Sequence, residues 1–291
     1  MQDGAQSSRG SCSWGEHSAS FCAIASYRNF LSRAAFLFAG VCQFPGLPSP
    51  NHLVKRIGLI GGYHTEATVI YLRRIDEQMR DRFNGRRGAS LVVRHLDGCD
   101  VDRALARQDW RHMERTLTQA GHELVAAGAK TVLLGGSLLH AVADGVARTI
   151  PVPLLHVADA TAEVLHATGI KQVGLLGTRL ADEEKAWQLR LAERDILASV
   201  VPEPSDRARV IEIIGDELSR GVVLGPAKAE LVRLSAEFRR LGARVVVLVA
   251  PELSLALRQT DCHLPLVDAT VAHAAAAVTL VENQSPAGVG A

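Results

Sequence analysis

Two short words in this sequence occur twice, in the same order. Arg56-Ile57-Gly58-Leu59-Ile60-Gly61-Gly62 returns as Gln172-Val173-Gly174-Leu175-Leu176-Gly177-Thr178, 116 positions on. Gly128-Ala129-Lys130-Thr131-Val132-Leu133-Leu134 returns as Gly242-Ala243-Arg244-Val245-Val246-Val247-Leu248, 114 positions on. Chance likeness between buried strands explains one such match but not two in register. The body of the chain therefore reads as two similar lobes, each of the length of that offset.

Within each lobe short apolar runs alternate with helical stretches. Arg56 to Ile60 reads as a strand, and Thr65 starts a helix through Arg82 with Glu66 in its first turn. Ser90 to Arg94 is the next strand. Asp109 caps a helix with apolar positions at Met113, Leu117, Leu124 and Val125. Lys130 to Leu134 is a third strand, a helix follows near His140, and Pro151 precedes a fourth strand. The strands are apolar enough for burial on both faces, so the fold class is α/β with two pseudo-symmetric parallel-sheet lobes. Lobe one is expected over 55–157 and lobe two over 158–291, a return of the C-terminal helix 270–282 onto lobe one being left open. Ligands bind off the carboxyl ends of such strands, which places a crevice between the lobes. Its walls are then Gly61 to Thr68, Gly135 to His140, Thr178 to Asp182 and Val249 to Glu252.

Residues 1–54 differ from the rest, holding three of the five cysteines and most of the aromatics among many Ser and Gly. No period of 3.6 or 2 runs through them. Two readings stand: a disordered tail, or a start placed upstream of true initiation near Val54. An export signal fits poorly, because the apolar stretch Ala34 to Gly40 begins over thirty residues in and no small-residue cleavage site follows. A cytoplasmic protein is expected. The longest apolar run, Ala34 to Cys42, is too short to span a bilayer. Basic and acidic residues nearly cancel, 32 against 31, which argues against nucleic acid or an anionic membrane as partner. Cys99 and Cys262 are isolated, neither CxxC nor HxxxH occurs, and no bound metal is expected. The glycines of 58–62 do not spell GxGxxG and no P-loop is present, so a nucleotide is not expected either.

Several of these words together resemble the aspartate/glutamate racemase superfamily, which also holds hydantoin racemases, maleate isomerases and arylmalonate decarboxylases. The carriers are Ile57 to Gly62 followed by Glu66-Ala67-Thr68, then Trp110, His140 and Leu175-Leu176-Gly177-Thr178-Arg179. Glu217-Leu218 before Gly221, Pro251-Glu252-Leu253, and Asp268 before His273 complete the set. The resemblance implies a cofactor-independent protein, a homodimer, with a small carboxylate or amino-acid-like ligand in the crevice.

Cofactor-free racemisation needs two acid/base groups on opposite sides of the α-carbon, and thiols suit the task. In the family the first thiol opens a Cys-Asn-Thr-x-His motif, which here is Gly136-Ser137-Leu138-Leu139-His140. The second sits in a Gly-Cys-Thr-Glu motif, here Val249-Ala250-Pro251-Glu252. The thiol positions are thus Gly136 and Ala250, and the 114-residue repeat pairs the same two. Two-thiol racemisation is therefore not expected. Ser137 and Leu138 stand where the family holds the substrate carboxylate, and Leu138 implies a ligand less polar than aspartate.

Where the family has Gly-Gly-Met-Gly-Pro-Glu, this chain has Gly61-Gly62-Tyr63-His64-Thr65-Glu66. A histidine is the commonest general acid or base, and a tyrosine can donate to a developing oxyanion. His64 with Tyr63 is one reading; a solvent-facing histidine and a packed tyrosine is the other. His273 is either a lone acid/base or support for the fold. His140 caps a helix or supports the site from behind. Glu252 either orients a ligand amine or bonds nearby backbone. Arg94 is a carboxylate clamp or a solvated arginine, and Cys99 is read in a loop near the crevice. Gly62, Gly136, Thr178 and Ala250 complete the expected lining.

Three functions follow. The first is a repurposed member of the family acting on a small carboxylate or amino-acid-like substrate. The second is a catalytically inactive relative that binds a metabolite or a partner. The third is a weak racemase with a substitute base.

Overall fold

The computed structural model describes residues 55–85, 88–200 and 203–283; the expectations for residues 1–54 lie outside the described residues. Lobe one opens with β1 (Arg56–Gly61), α1 (Thr65–Arg82), β2 (Leu91–His95), α2 (Gly98–Ala106) and α3 (Trp110–Ala126). It continues with β3 (Ala129–Leu134), a 3₁₀ turn at Ser137–Val142, α4 (Ala143–Ala147) and β4 (Leu154–Leu155). After α5 (Val157–Ala167), lobe two runs through β5 (Gln172–Leu176), α6 (Ala181–Ala192), β6 (Leu197–Val200) and α7 (Pro204–Glu212). A wide π turn (Ile213–Glu217) and a 3₁₀ turn (Leu218–Arg220) lead into α8 (Gly225–Arg240). Then come β7 (Val245–Leu248), the short α9 (Leu253–Ala256), β8 (Leu266–Asp268) and α10 (Ala269–Asn283).

Both sheets are wholly parallel, ordered β2-β1-β3-β4 and β6-β5-β7-β8. Strand pairing repeats residue for residue. Ile57 lies opposite Thr131 and Val173 opposite Val245, so the 116- and 114-residue offsets of the sequence are the offsets of the two registers. Each sheet is a buried layer, as runs such as Arg56–Gly61 and Val245–Leu248 require. Gly58 and Gly174, equivalent positions, let helices press close: a Cβ at Gly58 would crowd Leu124, and one at Gly174 would strike Phe238.

Helices cover the sheets in an exchange. Sheet one is flanked by α3 on one face, with Met113, Leu117 and Leu124 buried, and by α1 on the other. The second face is completed by α10, whose Ala274, Ala277, Val278 and Val281 pack with Ile57, Leu59 and Tyr71. In return α5, which follows lobe one's last strand, covers sheet two through Val157, Ala162 and Leu165 against Val173, Leu175 and Val247. The two exchanged helices pack on each other between the sheets.

Local departures from the sequence reading are few. The segment holding Cys99 is helical: Asp97 caps α2 by accepting the Cys99 N–H at 2.9 Å, and Cys99 is exposed in its first turn. Only Val101 and Ala104 are buried on that helix, too few to print a periodicity. The segment at His140 is first a 3₁₀ turn, and His140 lies inside it.

Candidate functional site

Three loops at the carboxyl ends of the strands build the site. After β1 the chain tucks under β2's extension: Gly62 sits at φ 111°, where a Cβ would strike the Leu96 backbone, and its N–H donates to Thr68 Oγ1 at 3.1 Å. Tyr63 and His64 follow. His64 is the N-cap residue of α1 yet its side chain makes no cap bond, leaving the ring free to reach across. After β5 come Thr178 and Arg179, and after β7 the turn Ala250-Pro251-Glu252.

These loops meet between the lobes. His64 Nδ1 lies 2.7 Å from Glu252 Oε1, the carboxylate being fully buried and the imidazole 17 % exposed. Tyr63 stacks on the His64 ring with centroids 4.2 Å apart, and the Arg179 guanidinium lies over the opposite lobe's Tyr63 at 4.8 Å from its centroid. Burial pushes the Glu252 carboxyl up, but the His64 hydrogen bond and the Arg179 charge outweigh it and hold the group below the usual range. An ionised carboxylate only accepts, so Nδ1 carries the proton and the lone pair of a neutral His64 ring is on Nε2. Nε2 has no partner among the described residues, and neither has Glu252 Oε2. Burial raises the Tyr63 hydroxyl against the opposing charge of Arg179, so it stays protonated.

Other expected residues take different places. Ser137 Oγ accepts from the Trp187 indole N–H at 3.0 Å and bonds Glu183, tying the lobes together. Glu183, buried and pushed up by that burial, accepts the Arg179 backbone N–H at 2.8 Å. Thr178 donates to Glu184 at 3.1 Å. Leu138 and Ala250 are buried. Gly136 is extended, and a Cβ built there would meet only Leu139, at 3.9 Å. Arg94 is not brought to the cluster: it lies exposed on the edge strand, paired with Glu123 at 2.6 Å.

His273 and His140 belong to a separate buried group with His156. His273 Nε2 donates to the Leu155 carbonyl at 3.0 Å and its Nδ1 accepts from Tyr71 Oη at 3.0 Å, so both nitrogens are occupied. His156 caps α5 through Nδ1, accepting the Ala158 N–H at 3.1 Å. His140 packs on both rings, centroids 4.5 and 5.4 Å away. Burial lowers all three, His156 to about 3 and His273 to about 4. Among the described residues no three His, Cys, Asp or Glu side chains are placed to hold a metal ion. None of the described helices is long and apolar enough to cross a membrane.

Glu183 and Trp187 were not singled out from the sequence as site residues, and Arg179 entered only as part of the expected wall Thr178 to Asp182, without a role of its own. The repeat pairs each of Arg179 and Trp187 with an aromatic residue of lobe one: Arg179 stands 116 positions after Tyr63, and Trp187 116 after Tyr71.

A duplicated α/β fold with a histidine–carboxylate contact between its halves defines the class. A profile of the Asp/Glu/hydantoin racemase family matches residues 60–277. Among solved structures, an Asp/Glu racemase homologue from Yersinia pestis is similar at 30% identity and TM-score 0.71, over 78% of this chain and 99% of its own. An aspartate racemase homologue from Pyrococcus horikoshii is similar at 27% identity and TM-score 0.69, with the same coverage. The aspartate racemase of Picrophilus torridus shares the fold at 19% identity and TM-score 0.63, over 78% of this chain and 94% of its own. This chain belongs to the Asp/Glu/hydantoin racemase family.

Proposed function

We propose that this protein is a cofactor-independent enzyme that moves the α-proton of a small carboxylate or amino-acid-like substrate through His64 rather than through a pair of thiols. The observation that carries this is the 2.7 Å contact of His64 Nδ1 with the buried Glu252 carboxylate. Glu252 fixes the tautomer that leaves Nε2 open to take a proton. The electron pair left on the substrate passes into its carboxylate, and the protonated Tyr63 hydroxyl stacked on His64 can donate to the oxygen that gains charge. Nε2 then returns the proton to carbon. Gly136 and Ala250, at the family's thiol positions, supply no ionisable group. His140 and His273 support the fold in this scheme, because burial keeps them neutral. A homodimer, as the family resemblance implies, and a cytoplasmic location are part of the proposal.

The absence of ionisable side chains at 136 and 250 favours a second reading, a binding protein without turnover. One experiment separates the two. The full chain is incubated in deuterated buffer with a panel of amino acids and small carboxylates, and proton NMR follows each α-proton signal. Exchange that disappears in His64→Ala supports the enzyme. No exchange with any compound sinks it and leaves the binding reading.

A further inference from the structure

We infer that Arg179 is the carboxylate anchor of this site and that its ligand is a small monocarboxylate with no second negative charge. The inference rests on the reading of His64 and Glu252 as the acid/base pair, and names the substrate class that pair would meet.

Arg179 is the cation of the interlobe cluster among the described residues; its guanidinium hydrogen-bonds the Tyr63 hydroxyl and its charge reaches Glu252 and Glu183, but no acid bonds it directly. It is half-buried over the Tyr63 ring, and forms no ion pair among the described residues. The acids around it are otherwise engaged. Glu252 binds His64, and Glu183 binds the Arg179 backbone N–H and Ser137. Elsewhere in the fold comparable arginines are paired: Arg94 with Glu123, and Arg190 with Asp144 and Asp159. A planar guanidinium with open donors matches a carboxylate in two parallel hydrogen bonds. Tyr63 lies against both the guanidinium and the imidazole. A carboxylate held on Arg179 therefore joins the side-chain cluster that contains His64.

Charge then limits what else the ligand carries. One carboxylate can bond the Arg179 guanidinium, whose charge Glu252 already draws on. A second would face the ionised Glu252 with no further cation of the cluster among the described residues to meet it, which disfavours dicarboxylates by repulsion. Substrate preference thus comes from one attractive and one repulsive charge on the same lobe.

The test is calorimetric titration of the full chain with two matched pairs, alanine against aspartate and propionate against succinate. The wild-type protein should bind the monocarboxylate of each pair more tightly, by about 10-fold. Arg179→Gln should weaken monocarboxylate binding by about 10- to 100-fold, and Arg179→Lys should recover part of the loss, having charge without the fork. Melting curves establish that both variants fold, and the lysine variant serves alone if the glutamine variant does not. Unchanged binding in Arg179→Gln, a preference for the dicarboxylates, or no binding of any of the four overturns the inference. His64→Ala keeps the failures apart: it should lower α-proton exchange by about 10²- to 10⁴-fold while leaving Arg179-dependent binding in place. Binding that follows Arg179 without any exchange in the wild type would count against the enzyme and not against the anchor.

Discussion

Tyr71 and Trp187 are the same residue of the fold written twice. They stand 116 positions apart, the separation of β1 from β5, and both are buried to 1 % exposure. Each spends its one polar hydrogen outside its own lobe's helix and sheet. Tyr71 Oη donates to His273 on the exchanged helix α10, and Trp187 Nε1 to Ser137 of lobe one. Aromatic bodies fill the two cores while their polar tips tie the halves together.

Removing only the tips should therefore loosen the junction without hollowing the cores. Tyr71→Phe is expected to cost about 1–3 kcal/mol, because it leaves His273 Nδ1 buried without a donor. Trp187→Phe adds a volume loss to the lost bond and should cost more. Urea titrations of the two variants measure both.

His64→Ala should lower the rate of α-proton exchange by about 10²- to 10⁴-fold, the usual contribution of a positioned proton-transfer group. It also strips the buried Glu252 carboxylate of its partner, at a cost of about 1–3 kcal/mol. Glu252→Gln keeps the shape and removes the charge. Exchange should fall by at least about 10-fold while the protein stays folded, measured by proton NMR alongside a melting curve.

Acid should unfold this protein through the His140, His156 and His273 group. Burial keeps them unprotonated in the fold, with His156 lowered to about 3 and His273 to about 4. In the unfolded chain histidines take protons near pH 6.5. Below that pH the unfolded state binds protons that the folded state refuses, so stability is full above about pH 6.5 and declines as pH falls towards about 4. Each histidine adds a slope of up to about 1.4 kcal/mol per pH unit. Urea unfolding at a series of pH values should show the decline, and His156→Asn, which keeps a capping acceptor, should make it shallower.

Two buried glycines should respond oppositely to alanine. Gly136 is extended and has open space about its Cα, so Gly136→Ala should be neutral or stabilising by about 0.5 kcal/mol. Gly62 has φ 111° and the Leu96 backbone where a Cβ would go, so Gly62→Ala should cost about 2 kcal/mol or more. A thermal melt of each variant decides.

Much of the fold was legible because burial on both faces forces strands to be written as apolar words, and duplication wrote them twice. The register itself was readable: Thr131 and Val245 stand 114 apart in the chain and at matching places in the sheets. Helix α2 was missed because two buried residues print no periodicity. Tyr63, His64 and Glu252 were expected in one crevice because crevice residues must follow the repeated strands. Their meeting was not, since 188 residues separate His64 from Glu252 and no local pattern encodes such a contact. Arg94 drew attention as an arginine at a strand end, yet β2 is an edge strand and an acidic helix residue lay within its reach. His156 went unnoticed because histidine is not an ordinary capping residue, and its role depends on two distant rings.

The exchange of α5 and α10 also dictates an order of assembly. On the ribosome β1 and α1 emerge early, but Ala274 to Val281, which seal the apolar face over Ile57 and Leu59, are made some two hundred residues later. That face must wait, exposed, until nearly the whole body has been translated. A gene cut between the lobes would therefore yield two incomplete halves, each missing the cover that the other encodes.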